Sequence, residues 1–197
     1  MIQFAVRAFS IDADSDQKYV GQFKHILVDE FQDINFAQKA MIDELLKGGA
    51  AIWAVGDDDQ AIYGWRGSSV NYILNFDKYF PDPGLVNLKK NYRAAPELVE
   101  ASNSVARHFV ERRDKELVSV TDSTGYIHIR KFFEETDEAE QVAKTVKVLR
   151  TNGTPYCEIA ILARTNALPS VLVDTLITNG IPVSLKNGVT AFQSEQT

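Results

Sequence analysis

Lys24-His25-Ile26-Leu27-Val28-Asp29-Glu30-Phe31-Gln32-Asp33 is the stretch whose reading decides the fold. His25 to Val28 is apolar and partly β-branched, and too brief to favour a helix, so it predicts a short buried strand. A strand covered on both faces, as in a parallel sheet, is apolar along its length and carries charge only where it leaves the core. Here that point is marked by two adjacent carboxylates, Asp29 and Glu30. In open α/β sheets the carboxyl edge is where ligands sit, so this pair is placed to hold a metal and a phosphate. A lone Asp-Glu has a plainer reading, since any strand must end in something polar. The rest of the chain decides between the two.

The chain has 197 residues, 45% hydrophobic and 24% charged, enough to build one large domain or two small ones. No apolar run approaches the roughly 18 residues of a membrane span. The first residues, Met1 to Arg7, show no basic lead or cleavage pattern. One cysteine, Cys157, excludes an internal disulfide and a cysteine-based metal cluster, and fits a reducing cytoplasm. The net charge of −6 argues against a generally basic nucleic-acid binder. Residues 1–61 hold eleven acids and five bases, a balance of −6, and residues 62–197 hold sixteen of each. The excess acid therefore surrounds Asp29, Glu30 and Asp57-Asp58-Asp59. That suits a divalent cation as well as it suits a solvated surface.

Working outward, residues 1–9 predict a helix with Ile2, Val6 and Phe9 on one face. Asp12 to Asp16 is a loop without the glycine and glutamate of an EF-hand. After the central strand, Asp33 or Asn35 caps a helix running to about Lys47, which Gly48-Gly49 ends. Ala50 to Gly56 is a second buried strand, and it too ends in acid, at Asp57. Two strands joined by one helix predict a βαβ unit with both acidic ends on one edge. Gly56 to Ser68 is glycine-punctuated and holds Gln60, Tyr63, Trp65 and Arg66. Aromatic rings on such a segment offer faces to unstacked bases, with a guanidinium nearby, or else cover the core beneath the loop. Ser69 to Phe80 predicts a helix, Pro81 to Gly84 a turn and Leu85 to Leu88 a third strand. The basic cluster Lys89-Lys90-Asn91-Tyr92-Arg93 leads into a helix that Pro96 opens and that runs to about Arg113. A basic cluster at a helix start is a plausible anion site.

Taken together, Val28-Asp29-Glu30-Phe31-Gln32-Asp33, Gly56-Asp57 through Gln60 to Tyr63-Gly64-Trp65-Arg66-Gly67, and Asn91-Tyr92-Arg93 resemble motifs II, III and IV of the superfamily-one DNA helicases of the UvrD/Rep/PcrA type. The resemblance implies an ATP-dependent, Mg²⁺-requiring 3′-to-5′ helicase or translocase acting on single-stranded DNA and duplex junctions. It implies that Asp29 holds Mg²⁺, with Glu30 beside it as the base that activates the attacking water. These roles need carboxylates at a strand end, because phosphoryl transfer is mostly positioning and charge neutralisation. Gln60 is similar to the glutamine that contacts the terminal phosphate and links it to the DNA site. Arg93 resembles an arginine on the same phosphate, and Tyr92 a tyrosine stacked on adenine. Trp65 and Tyr63 resemble aromatics that stack on bases, with Arg66 beside them. Ala61, Gly64 and Ala94 depart from the residues common at their places. No G-x-x-x-x-G-K-S/T loop occurs in the sequence, and no match to motifs V and VI. The expectation is a helicase fragment that partners missing N- and C-terminal segments and does not hydrolyse ATP efficiently alone.

The fold class expected is α/β, two partial RecA-like parallel-sheet domains of P-loop NTPase type, with residues 1–116 ending the first and residues 117–197 beginning the second. Glu111 to Ser123 reads as the crossing point. Strands are predicted at 126–133, 159–163 and 183–185, with helices at 134–152 and 168–178, a βαβαβ half-sheet. Arg164-Thr165-Asn166 follows a strand end, and Asn187 to Phe192 resembles the passage out of that sheet. His25, His108 and His128 are scattered and read as structural. Two alternatives remain at this point. A Mg²⁺-binding phospho-acceptor signalling domain would use Asp29 and Asp57 but leave the aromatic and Asn91-Tyr92-Arg93 segments idle. A degraded helicase remnant would serve only as an interaction module.

Overall fold

The computed structural model describes residues 2–11, 20–164 and 170–185. The chain is α/β with small parallel sheets, and it divides into two compact units, residues 1–127 and 128–197.

The first unit is built on the quoted stretch. Helix α1 (Ile2–Ile11) packs on α2 (Phe36–Leu46). Strand β1 (His25–Val28) lies parallel to β2 (Ala51–Ala54), with His25 opposite Ala51 and Val28 opposite Ala54, and α2 connects them. Of the two capping candidates it is Asn35 that acts. Its side chain accepts from the Gln38 N–H at 3.0 Å, and the Gln38 side chain accepts from the Asn35 N–H at 2.8 Å. This reciprocal box satisfies two N–H groups that the first turn leaves open.

Both strands are covered on one face only, which corrects the expectation of two buried faces. Val28, Ile52 and Ala54 face a core of Phe31, Ile34, Ile42 and Phe80. On the other face Leu27 is 77% exposed and its register partner Trp53 63% exposed. The core is held by aromatic edges. Phe31 meets Phe76 at 5.4 Å and Phe80 at 6.2 Å between ring centres, both in T-shaped pairs.

The helix predicted over 69–80 is two short ones, α3 (Asn71–Leu74) and α4 (Phe76–Tyr79). Between them Asn75 leaves the helical region at φ −108°, ψ 35°, and its side chain bonds back to the Asn71 carbonyl. Asn competes for backbone partners in this way. Among the described residues Leu85 to Leu88 pairs into no ladder. The strand falls later, at β3 (Lys90–Asn91), parallel to β4 (Val118–Ser119), which lies inside the stretch 111–123 expected to be a crossing segment. Helix α5 (Pro96–Ala106) starts at the predicted proline and stops short of Arg113.

In the second unit α6 (Glu135–Thr151) packs against α7 (Ser170–Thr178) around Ala143, Val146, Leu176 and Ile181. Gly153 and Gly180 take positive φ, 98° and 71°. The next residues then donate five positions back, Thr154 to Leu149 and Ile181 to Leu176, closing each helix end. The segments 126–133, 159–163 and 183–185 form no ladder, so the expected βαβαβ half-sheet is absent among the described residues. Asp12 to Asp16, Thr165, Asn166 and Asn187 to Phe192 lie outside the described residues.

Candidate nucleotide and nucleic-acid site

The site begins where β1 stops. Asp29 is exposed and accepts from the Glu30 N–H at 2.9 Å. Glu30 takes left-handed backbone angles, φ 49°, ψ 46°. That turn carries the chain inward: Phe31 and Gln32 are fully buried, while the Asp29 and Glu30 side chains stay at the surface. The Phe31 N–H donates to the Val55 carbonyl at 2.9 Å, so the end of β1 is tied to the end of β2. The sequence thus places its carboxylates by anchoring the residue after them.

Gln32 joins this strand end to the next loop. Its Nε2 donates to Glu30 Oε2 at 2.7 Å, and its Oε1 accepts from the Asp57 N–H at 3.0 Å. Gly56 makes the approach possible, because a Cβ there would sit 2.5 Å from Gln32 Oε1 and 2.8 Å from Ile73. Asp57 then accepts from the Asp59 N–H at 3.1 Å and from Gln60 Nε2 at 2.8 Å. A continuous polar chain therefore runs Glu30, Gln32, Asp57, Gln60. Gln60 itself is exposed.

Asp57-Asp58-Asp59 is not bare acid. Lys115 Nζ lies 2.9 Å from Asp57, 3.3 Å from Asp59 and in contact with Asp58. Arg112 forks onto Asp59 at 2.8 and 3.1 Å. Burial pushes the Asp57 carboxyl up, but hydrogen bonds from Lys115 and Gln60 outweigh it and hold the group below its ordinary value. Burial alone would lower Lys115, and its hydrogen bonds to Asp58 and Asp57 instead hold it above the usual lysine value. Asp33 goes the other way. Burial, and then Glu30, raise it, and its Oδ1 is buried with no partner.

Three groups of predicted residues are therefore distinct. Glu30 and Gln60 belong to the polar chain just described, and Asp29 adjoins it by accepting from the Glu30 N–H. Tyr63, Trp65 and Arg66 form a second cluster, with the Arg66 guanidinium 4.8 Å from the Tyr63 ring and 4.5 Å from the Trp65 ring. Trp65 is 73% exposed, so it does not cover the core beneath the loop. Tyr92 and Arg93, both exposed, follow β3. There the Asn91 side chain accepts from the N–H groups of Arg93 and Ala94, at 2.9 and 2.8 Å, and fixes the turn into α5. Gln32, Arg112 and Lys115 were missed as site residues. Gln32 stood inside the quoted motif. Lys115 carried no local signal, since its partners are distant in sequence.

The donor set at the β1 end fits a hard cation. Mg²⁺ is commonly held through one or two carboxylates together with phosphates and water, and Asp29 and Glu30 are exposed carboxylates on that edge. Among the described residues no group of three or more His, Cys, Asp or Glu side chains forms a metal cage. No helix among them is long and apolar enough to cross a membrane.

The described residues thus combine carboxylates at a parallel strand end with a hydrogen-bonded, aromatic-bearing loop in an α/β chain. The family model of the UvrD/REP helicase N-terminal domain matches residues 1–81, and that of the UvrD-like helicase C-terminal domain matches residues 86–196. The chain belongs to the UvrD/REP helicase family. It is 35% identical over 188 residues to a Staphylococcus epidermidis protein named ATP-dependent DNA helicase PcrA, and 34% identical to its Staphylococcus aureus namesake. Each alignment covers 95% of this chain and 26% of the relative, so the chain spans about a quarter of the length of these curated relatives.

Proposed function

We propose that this chain carries part of the ATP site and part of the single-stranded DNA site of a 3′-to-5′ DNA helicase or translocase. The observation that carries the reading is the hydrogen-bonded chain from Glu30 through Gln32 and Asp57 to Gln60, three residues before the Tyr63–Trp65–Arg66 cluster. One end is chemistry suited to a phosphate, and the other is chemistry suited to bases. On this reading Asp29 and Glu30 would hold Mg²⁺, which would supply charge neutralisation at the phosphates. Glu30 accepts the proton of the attacking water, and Gln60 donates to the terminal phosphate. Arg93 offsets the charge that develops on the same phosphate, and Tyr92 stacks on the adenine. Trp65 and Tyr63 present their faces to successive bases, with Arg66 between them as the cationic neighbour.

The sequence holds no phosphate-cradling G-x-x-x-x-G-K-S/T loop. We infer that the isolated chain binds oligonucleotide and nucleotide but turns ATP over poorly. The partial-domain assignment, residues 1–116 and 117–197, belongs to the same proposal, as do the duplex junctions, the remaining helicase segments as partners and the cytoplasmic setting. The phospho-acceptor alternative is not favoured: it leaves Trp65, Arg66 and Arg93 without a role.

The test is tryptophan emission during titration with oligo-dT. Quenching is expected in wild type and in Trp53→Phe, and its loss in Trp65→Ala. Undiminished quenching in Trp65→Ala would remove the base-stacking role. Parallel hydrolysis assays with Mg²⁺-ATP should show turnover near background, and DNA-stimulated turnover that Glu30→Gln abolishes would overturn the inferred incompetence.

A further inference from the structure

Three consecutive aspartates on one short turn repel one another, yet here they are drawn together by a segment from beyond α5. Asp58 and Asp59 each have a second anchor there. Asp58 Oδ2 accepts from the Arg113 N–H at 2.6 Å, and Asp59 receives the Arg112 fork. The segment is itself pinned, because Arg113 Nη2 donates to the carbonyls of Ile73 at 3.2 Å and Leu74 at 3.0 Å. Asp57 differs. Among the described residues Lys115 is the one cationic side chain on it, at 2.9 Å. Asp57 is also the residue that holds the Gln60 carboxamide, at 2.8 Å.

We propose that Lys115 is a positioning residue for Gln60: its ammonium group fixes the Asp57 carboxylate, and that carboxylate fixes the direction in which the Gln60 carboxamide points. One ammonium group lies within ion-pair reach of all three carboxylates, so Lys115 bears on the shape of the turn as well as its charge. Without it, Asp57 stands beside two like charges with the Asp59 N–H alone to restrain its Oδ1, so the carboxylate is less firmly set and Gln60 loses a fixed partner. Lys115 touches no reacting atom and acts through Asp57. This inference rests on the phosphate-contacting role proposed for Gln60.

The experiment follows the side-chain amide signals of Gln60 by nitrogen-15 NMR of the full chain. In wild type these signals should be dispersed and slow to exchange with water. Lys115→Met should collapse them to the position of a free carboxamide and speed exchange at least tenfold, and Lys115→Arg should restore them. Because Lys115→Met leaves the Asp58 charge buried without its ammonium partner, the double variant Lys115→Met with Asp58→Asn serves if the single one unfolds, with the same collapse expected. Gln60 signals unchanged from wild type in the folded variant would overturn the proposal. Addition of Mg²⁺ with adenylyl-imidodiphosphate separates the two ideas. Gln60 signals that ignore it in wild type would sink the phosphate role of Gln60, whereas the arginine rescue judges Lys115 regardless. If both hold, the nucleotide response at Gln60 is lost in Lys115→Met and returns in Lys115→Arg.

Discussion

Gln32 has both ends of its carboxamide committed at 1% exposure, so its loss leaves Glu30 and the Asp57 N–H without a buried partner. Gln32→Ala should cost about 1–3 kcal/mol, read as a lower urea midpoint with unchanged slope. Acid should act through Asp57. A folded-state carboxyl held below its ordinary value adds stability that is complete above the unfolded value and is lost as pH falls through the folded one. Wild type should therefore lose stability below the ordinary carboxylate range, and Asp57→Asn should flatten that loss in melting curves recorded across the acid range. Asp33 carries the opposite sign. Its raised value makes ionisation unfavourable to folding, so that its contribution declines as pH rises through the folded value. Asp33→Asn should therefore help at neutral pH more than in acid. At this scale the placement of Asp29 and Glu30 at a strand end was legible, because the motif that carries them is local. Lys115 and Arg112 were not, because charge runs look alike until the fold shows what they face.

Among the elements, β1, α2 and β2 were readable because each is announced by its own residues: an apolar run, a cap and a glycine stop. The capping box predicts that Asn35→Ala costs about 1 kcal/mol, measurable in the same urea titration. Burial is a different matter, since the sequence pattern of β1 and β2 does not say which face is covered. Ile52 packs on the core and Trp53 does not. Ile52→Thr should accordingly lower the urea midpoint clearly, while Trp53→Thr should stay within about 0.5 kcal/mol of wild type, as surface substitutions do. Elements that need a neighbour were misread. The apolar segments at 126–133, 159–163 and 183–185 have strand composition, but β-propensity is mostly fit to a paired surface, and these have no ladder partner among the described residues. The break at Asn75 was missed for the reverse reason, because a helical period is blind to a side chain that captures its own backbone.

On the scale of the whole chain, each of the two compact units has a buried cluster of its own, and two unfolding events are the expected outcome. Both tryptophans, Trp53 and Trp65, lie in residues 1–127, so intrinsic fluorescence reports the first unit alone. Leu176→Ala in the second core should cost about 2–5 kcal/mol. It should move the transition seen by helical circular dichroism while leaving the tryptophan transition in place. A single shifted transition by both probes would contradict that independence.

Glu30 is a side-chain-bearing residue in a conformation that glycine adopts freely, at a cost of roughly 1–2 kcal/mol for other residues. Replacing it with glycine should relieve that strain but leave the buried Gln32 Nε2 without its acceptor, so the melting temperature should change little while the carboxylate is lost. A directed-evolution campaign that ranks variants of this chain by heat resistance alone would therefore feel little pull to keep a carboxylate at position 30, because relieved strain and a stranded amide nearly cancel there.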